Sequence, residues 1–324
     1  MFKNLSNYFF SFFMLIGLFL SISSNNWILI WCGLELVLIC FVPMMLGLNF
    51  SSSECCLKYF IVQAVSSSIL MLSVMMMLMD LDFYYEVIFN ISLMIKMGVA
   101  PFHGWVLNVV EGLKFNFILI MLTILKLPPL YILSYISLYL FPFIFMGLLI
   151  GSVMGLNQNS LRKVLAYSSI FNMSFILSCL FFNYVWMFYL MFYSFILFMM
   201  VYSLIIFNLN YINQFVFNNF SIFNKFTLFI NLLSMGGMPP LLGFLIKLFI
   251  LELMLFMNFY FISFAMILMS LLIMFFYIRV TFITVMIFTF MSKLNLNLIS
   301  TNSLILVILN LLLLCFFINL KMFM

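Results

Sequence analysis

The sequence predicts an all-α polytopic membrane protein. Three observations carry that prediction. Hydrophobic residues make up 68% of the 324, charged residues only 6%, and the mean hydropathy is +1.36. Apolar runs of about 20 residues recur from end to end, the length that crosses a hydrocarbon core of about 30 Å. The runs do not alternate apolar and polar residues as barrel strands would; Leu304–Phe317 is an example. Backbone groups in lipid need internal partners, so the runs read as helices.

Eleven spans follow in order: Phe9–Ile22, Trp27–Leu48, Cys56–Met79, Val87–Leu107, Asn116–Ser134, Leu138–Leu156, Val164–Phe182, Trp186–Phe207, Phe226–Leu255, Phe259–Val280 and Leu304–Leu320. Met1-Phe2-Lys3-Asn4 leads into the first run without a small-residue cleavage site, and ten more spans follow, so this run reads as a retained helix. Helices 4 and 9 carry both Gly and Pro near mid-span. Helix 5 has Pro128-Pro129 just after Lys126 without the glycines, which reads as a kink. The longer loops are Asn208–Lys225 and roughly Thr281–Ser303. No composition shift marks a soluble domain, so residues 1–324 read as one transmembrane domain.

Eleven helices put alternate loops on opposite sides. The N-terminal side then holds Lys3, Lys58, Lys114, Arg162, Lys163, Lys225 and Lys293, with Arg279 near that end of helix 10. The other side holds Lys321, together with the acidic loop Asp80, Asp82 and Glu86. Basic loop residues collect on the side from which a membrane protein is inserted, so the N-terminus is expected in the cytoplasm or the mitochondrial matrix, with the C-terminus opposite.

Several chemistries have no residues to support them. The six cysteines form no C-x-x-C pair and the chain has one histidine, so no metal site is expected. There is no Gly-rich phosphate loop, nucleophile motif or quinone signature, and nothing that would grip nucleic acid. The 46 Phe and 30 Met beside few Ala and Val point to an AT-biased gene of organellar type.

Helix 4 runs Lys96-Met97-Gly98-Val99-Ala100-Pro101-Phe102-His103. Helix 9 runs Ser234-Met235-Gly236-Gly237-Met238-Pro239-Pro240-Leu241-Leu242-Gly243-Phe244. Gly loosens a helix and Pro removes a ladder hydrogen bond, so each break frees carbonyls that protein or a water-lined cavity must meet. The breaks lie five helices apart, so the two helices cross in opposite directions. That is the pointer to inverted repeats, helices 1–5 (roughly 1–136) and 6–10 (roughly 137–290), with helix 11 (roughly 303–320) added.

Four charges sit inside otherwise apolar stretches: Glu35, Lys96, Lys126 and Lys247. A charge at a membrane-helix centre costs roughly 2.5–3.5 kcal/mol on insertion scales, and such residues mark ion pathways and proton relays. An apolar site favours the neutral form of a lysine or a carboxylic acid, while an opposed pair restores the charges. A row of such groups can therefore pass protons. The competing reading is structural: Glu35 paired with one lysine and the others snorkelling. Lys96 and Lys126 lie too deep for snorkelling, and one carboxylate cannot neutralise three lysines. His103, just past the first break, reads as a hydrogen-bonded supporting residue, Glu252 as an interfacial charge, and Arg162-Lys163 as a topology signal.

The run Trp31-Cys32-Gly33-Leu34-Glu35-Leu36, then Leu57-Lys58-Tyr59-Phe60 with Gln63-Ala64, resembles the antiporter-like membrane subunits of animal mitochondrial NADH:ubiquinone oxidoreductase, respiratory complex I. So do Met94-Ile95-Lys96 through Val106, Leu161-Arg162-Lys163 through Ile170, and Ser234 through Phe244 with Lys247. Gly104 departs from the large residue that the family often has between the His and the Trp. The resemblance implies a proton-pumping subunit in the mitochondrial inner membrane, similar to subunits of cation/proton antiporters. It maps the family's axis of one Glu and three Lys onto Glu35, Lys96, Lys126 and Lys247. It also implies no cofactor on this chain, with FMN, iron–sulfur clusters and ubiquinone on other subunits. Expected neighbours are chains 4 and 4L, a lateral helix of chain 5, accessory subunits and lipids. A free-standing cation/proton exchanger and a structural membrane spacer are the alternatives.

Overall fold

A computed structural model describes residues 2–47, 50–79, 85–136, 139–182, 184–214, 222–290 and Asn310. Among these the chain is helical throughout, apart from one isolated bridge between Ser160 and Tyr211. Six stretches are long and apolar enough to cross a membrane: Ser6–Ser23, Trp27–Met45, Phe50–Leu78, Phe115–Leu133, Val185–Ile206 and Tyr260–Phe282. The expected helix at Leu304–Leu320 lies outside the described residues except for Asn310, as do Asp80 and Asp82 of the acidic loop.

The chain forms two compact units, Met1–Phe143 and Ile144–Met324. The first contains α1 (Phe2–Ser23), α2 (Trp27–Met45), α3 (Phe50–Leu78), α4 (Tyr85–Met97), α5 (Gly104–Gly112), α6 (Phe115–Leu122) and α7 (Leu127–Leu133). Here α1 and α2 approach closely through Gly17 and Gly33: a Cβ on Gly33 would lie 2.8 Å from the Ser21 backbone nitrogen and 2.9 Å from the Gly17 carbonyl oxygen. Helix α3 packs against α2, α4 and α5 and so stands at the centre of the unit.

The expected break in helix 4 falls between α4 and α5. Gly98 takes φ +66°, the left-handed region that glycine enters without a Cβ clash. The Val99 N–H donates to the Met94 carbonyl and the Gly98 N–H to the Ile95 carbonyl, both at 3.1 Å. That is the Schellman pattern of a helix end, here inside an apolar stretch.

Helix 5 differs from the sequence expectation. It does not kink at Pro128-Pro129; it breaks before them. Helix α6 ends at Leu122, Ile124–Lys126 form a single 3-10 turn, and the prolines occupy the first turn of α7. The reason is positional. Proline lacks the N–H that a first helical turn does not need, and its φ suits that turn, so the pair starts a helix instead of bending one. Thr123, at φ −122° and ψ −74°, makes the interruption, and its hydroxyl donates back to the Leu119 carbonyl at 2.7 Å.

The second unit contains α8 (Phe141–Gly155, from its residue 144 on), α9 (Leu161–Cys179), α10 (Val185–Ile206), α11 (Ile222–Gly236), α12 (Leu242–Phe256) and α13 (Tyr260–Phe290). Every residue of α9 except Arg162 and Lys163 is buried, so this serine-rich helix is enclosed by protein. Its start is tied down where the Leu161 N–H donates to the Asn210 carbonyl and Arg162 Nη2 donates to Asn210 Oδ1. Gly147, Gly151 and Gly155 form a small-residue stripe along α8 that lets α9 approach, the spacing typical of close membrane-helix pairs. A Cβ on Gly151 would lie 2.8 Å from Phe171 Cβ and from its backbone nitrogen. The expected break in helix 9 separates α11 from α12, with Gly237 at φ +85° and the Met238 N–H reaching back to the Leu233 carbonyl at 3.2 Å.

The expected loop at roughly Thr281–Ser303 is in part helix. Helix α13 continues to Phe290, because Thr281–Phe290 is as apolar as the span before it and holds no breaker. The rest of that loop lies outside the described residues.

Gly151→Leu should overpack the α8–α9 contact and cost about 1–3 kcal/mol. A lower thermal midpoint of the assembled protein in detergent would register it. Gly104→Ala, where nothing lies within 4 Å of the new Cβ, should leave that midpoint unchanged.

Candidate functional site

The four intramembrane charges are held on elements whose breaks fix them. In the first unit, Glu35 lies on α2, Lys96 one turn or less before the α4 break, and Lys126 at the end of the 3-10 turn. Lys96 and Lys126 are 8% and 5% exposed, so neither snorkels to a surface. Lys96 Nζ stands 4.0 Å from Glu35 Oε1, which is ion-pair distance but beyond a hydrogen bond. Glu35 Oε1 is buried and accepts no hydrogen bond from the described residues. Its attraction to Lys96 is therefore Coulombic, between a buried ammonium and a carboxylate whose side chain is 23% exposed.

Lys96 and Lys126 line one small cavity of about 30 Å³, together with Tyr59, Gln63 and Trp105. Glu35 stands outside this lining, and its neighbour Leu34 contributes instead. The carbonyls freed at the break are met by side chains. Gln63 Nε2 donates to the Lys96 carbonyl and Trp105 Nε1 to the Ile95 carbonyl, each at 3.1 Å. Gln63 is 6% exposed and sits on the central helix α3, so it ties the backbone under Lys96 to the middle of the unit.

In the second unit, Lys247 lies on α12, one to two turns after the break, and is 6% exposed. Its Nζ donates to the Gly236 carbonyl at 3.0 Å, so the lysine itself satisfies a group that the break released. The ammonium also stands 5.4 Å from the centroid of the Phe171 ring, within cation–π range. Close approach is why glycine is needed beside it: a Cβ on Gly237 would meet Lys247 Nζ at 3.0 Å, and one on Gly243 would fall 1.9 Å from the Ser234 carbonyl oxygen. No carboxylate lies within 4.0 Å of Lys126 or Lys247 among the described residues.

Of the break residues, Gly98 and Gly237 take left-handed conformations. Gly236 ends α11, and Pro101, Pro239 and Pro240 lie in the linkers that follow. His103 is not part of the lysine cavity; its Nδ1 lies 3.1 Å from the Pro101 carbonyl at the start of α5. Glu252 lies on α12 and is half-buried. Sequence reasoning gave no role to Tyr59 or Gln63, which it quoted only within the resemblance, and did not single out Asn172, Tyr189 or Tyr193. The signal that could have found them is polarity on a buried face opposite a break.

Residues 24–88 and 80–274 match the family described as NADH:quinone oxidoreductase/Mrp antiporter, transmembrane. The chain belongs to this family. Among curated relatives, NADH-ubiquinone oxidoreductase chain 2 of Anopheles gambiae is 38% identical over 265 residues, 77% of each chain. The chain of the same name from Locusta migratoria is 35% identical over 251 residues, 74% of this chain and 73% of that one. The resemblance to complex I membrane subunits read from the sequence is thereby borne out. The fold is similar to a chain of respiratory complex I from Thermus thermophilus at a TM-score of 0.77 and 18% identity, covering 86% of this chain and 70% of that one. It is also similar to a chain of the Mrp complex from Dietzia sp. at a TM-score of 0.71 and 15% identity, covering 83% and 58%. Family membership supplies the fold shared by these proteins, a membrane antiporter-like helical body.

Chemically, each unit offers an enclosed lysine beside a broken helix. Such a group can hold or release a proton without moving far, and its neighbour sets which state is favoured. Gln63→Leu should leave the Lys96 carbonyl without its donor and lower stability by about 1–3 kcal/mol. Thermal unfolding of the assembled protein, read beside Gln63→Asn, would show whether the lost amide is responsible.

Proposed function

We propose that this chain is a proton-translocating core subunit of the membrane arm of a mitochondrial NADH:ubiquinone oxidoreductase. The observation that carries the reading is the match to NADH-ubiquinone oxidoreductase chain 2 over about three quarters of both chains, at 38% identity in the first of these relatives. Enzyme activity then belongs to the whole complex. This chain does no redox chemistry and holds no cofactor; FMN, iron–sulfur clusters and ubiquinone lie on other subunits. Its partners are chains 4 and 4L, the lateral helix of chain 5, accessory subunits and lipids.

Within this reading, Glu35, Lys96, Lys126 and Lys247 are the proton-carrying groups. The Lys96–Glu35 separation of 4.0 Å supports it, since each group can change charge without first breaking a hydrogen bond to the other. The cavity lined by both Lys96 and Lys126 supports passage between those two through bound water. Joining α4 to α5, α6 to α7 and α11 to α12 across their breaks, and adding the helix at Leu304–Leu320, leads to eleven spans. The halves are inverted repeats, the N-terminus lies in the matrix and the C-terminus faces the intermembrane space, in keeping with the sorting of basic residues.

The likeness to a chain of the Mrp complex favours one second reading, a cation/proton antiporter subunit. Lys96→Met and Lys126→Met separate the possibilities when assembly is scored apart from flux. Each variant should assemble, and NADH-driven proton flux in reconstituted vesicles should fall by about 100-fold, the low end of what a positioned proton carrier contributes. Unchanged flux would leave only a structural role for these lysines. A proton flux that requires sodium would point to the antiporter.

A further inference from the structure

The second unit encloses polar groups that the four charges do not account for. Helix α10 presents Tyr189 and Tyr193, four residues apart and so on one face. With Asn172 of α9, Ser234 of α11 and Lys247 of α12 they line a single small cavity of about 20 Å³. The hydroxyl of Tyr189 donates to Asn172 Oδ1 at 3.0 Å, which holds that amide in place. Tyr193 is 4% exposed; its hydroxyl has the Ser169 side chain beside it but makes no hydrogen bond of normal geometry among the described residues. A buried hydroxyl left this way is costly. The sequence places Phe freely on the same helix, at 188, 192, 195 and 198, so an aromatic ring alone does not require a tyrosine at 193. Ser169 and Tyr277 also lie beside Tyr193.

A cavity of this size has room for about one water, and several polar partners converge on it. Lys247 spends one donor on the Gly236 carbonyl and, as an ammonium, has others to offer. We infer that Tyr193 is the proton-carrying residue through which Lys247 exchanges its proton, by way of water in this cavity, with the Tyr189–Asn172 pair as its positioning group. The inference rests on the reading of Lys247 as a relay member. In the step, the Lys247 ammonium gives one proton to a water oxygen. That water passes one of its own protons to the Tyr193 oxygen, which releases its original hydroxyl proton to a second water beyond the cavity, and that water carries the charge away as hydronium. Water and tyrosine end unchanged, and Lys247 ends neutral.

The test uses the intact complex reconstituted in vesicles, with NADH-driven proton flux measured in H2O and in D2O. Tyr193→Phe should assemble normally, lower the flux about 100-fold and change its solvent isotope effect, because a positioned proton carrier has been removed while the ring remains. Tyr202→Phe, on the same helix but 38% exposed, should match the unmodified complex. Normal flux in Tyr193→Phe, alongside a defect in Lys247→Met, would overturn the inference and leave the relay reading standing. Normal flux in Lys247→Met would remove the relay reading itself. Should Tyr193→Phe fail to assemble, Tyr189→Phe carries the test. A lowered flux with an altered isotope effect supports the inference, and an unaltered isotope effect sinks it.

Discussion

A helix broken at membrane depth has to find partners for the backbone groups it releases, and the surroundings of Lys96 and Lys247 follow from how that is done. Lipid offers no hydrogen bonds, so an orphaned carbonyl must be met by protein or by enclosed water. The break after α4 is closed by a Schellman turn on Gly98 and by the Gln63 amide and the Trp105 indole, which come from α3 and α5. The break after α11 is closed by a similar turn on Gly237 and by Lys247 itself. In the first case neutral side chains do the satisfying and the lysine head is left to face Glu35. In the second the lysine head takes on part of that work.

That difference accounts for Lys96 facing a carboxylate at ion-pair distance while Lys247 does not. Lys96 has its own carbonyl satisfied from elsewhere, so its ammonium needs a counter-charge, and Glu35 supplies one at 4.0 Å. Lys247 instead finds a carbonyl oxygen and an aromatic face, two partial negative charges that accept an ammonium but do not pin it. Neither arrangement is a tight, bidentate ion pair of the sort that fixes a charge permanently. The second leaves a neutral Lys247 with a tolerable environment, because the carbonyl still accepts a hydrogen bond from an amine and the ring still packs against its carbons.

Much of this was legible in the sequence, for physical reasons. A lysine in an apolar run is costly enough to stand out, and Gly beside Pro interrupts a helix wherever it falls, so Lys96, Lys247 and the breaks at Gly98 and Gly237 could be read directly. The break near Lys126 could not be placed. Pro128-Pro129 drew attention to the wrong side of the lysine, since proline is as well suited to start a helix as to bend one, and only the dihedral angles of Thr123 tell the two apart. Gln63 and Tyr193 were illegible for another reason. One polar side chain in an unbroken helix says nothing of what faces it, and their meaning lies in the carbonyl or the cavity supplied by a different helix. The end of α13 was misplaced because an apolar helix with no breaker has no reason in its own sequence to stop at the membrane boundary.

The geometry around Lys96 bears on why an ion pair of this length suits proton transfer. A charged hydrogen bond between ammonium and carboxylate settles near 2.7–2.9 Å, and opening it to admit another partner costs free energy at each cycle. At 4.0 Å the two groups still bias one another, since Coulomb attraction falls only inversely with distance and the surroundings screen it weakly. A change of charge at Glu35 therefore alters how firmly Lys96 holds its proton without any bond having to break. Lys96 meanwhile lines a cavity that Glu35 does not enter and Lys126 does. The carboxylate thus faces the lysine from one side and the cavity faces it from another, which is the separation that the proposed relay calls for and a structural salt bridge does not.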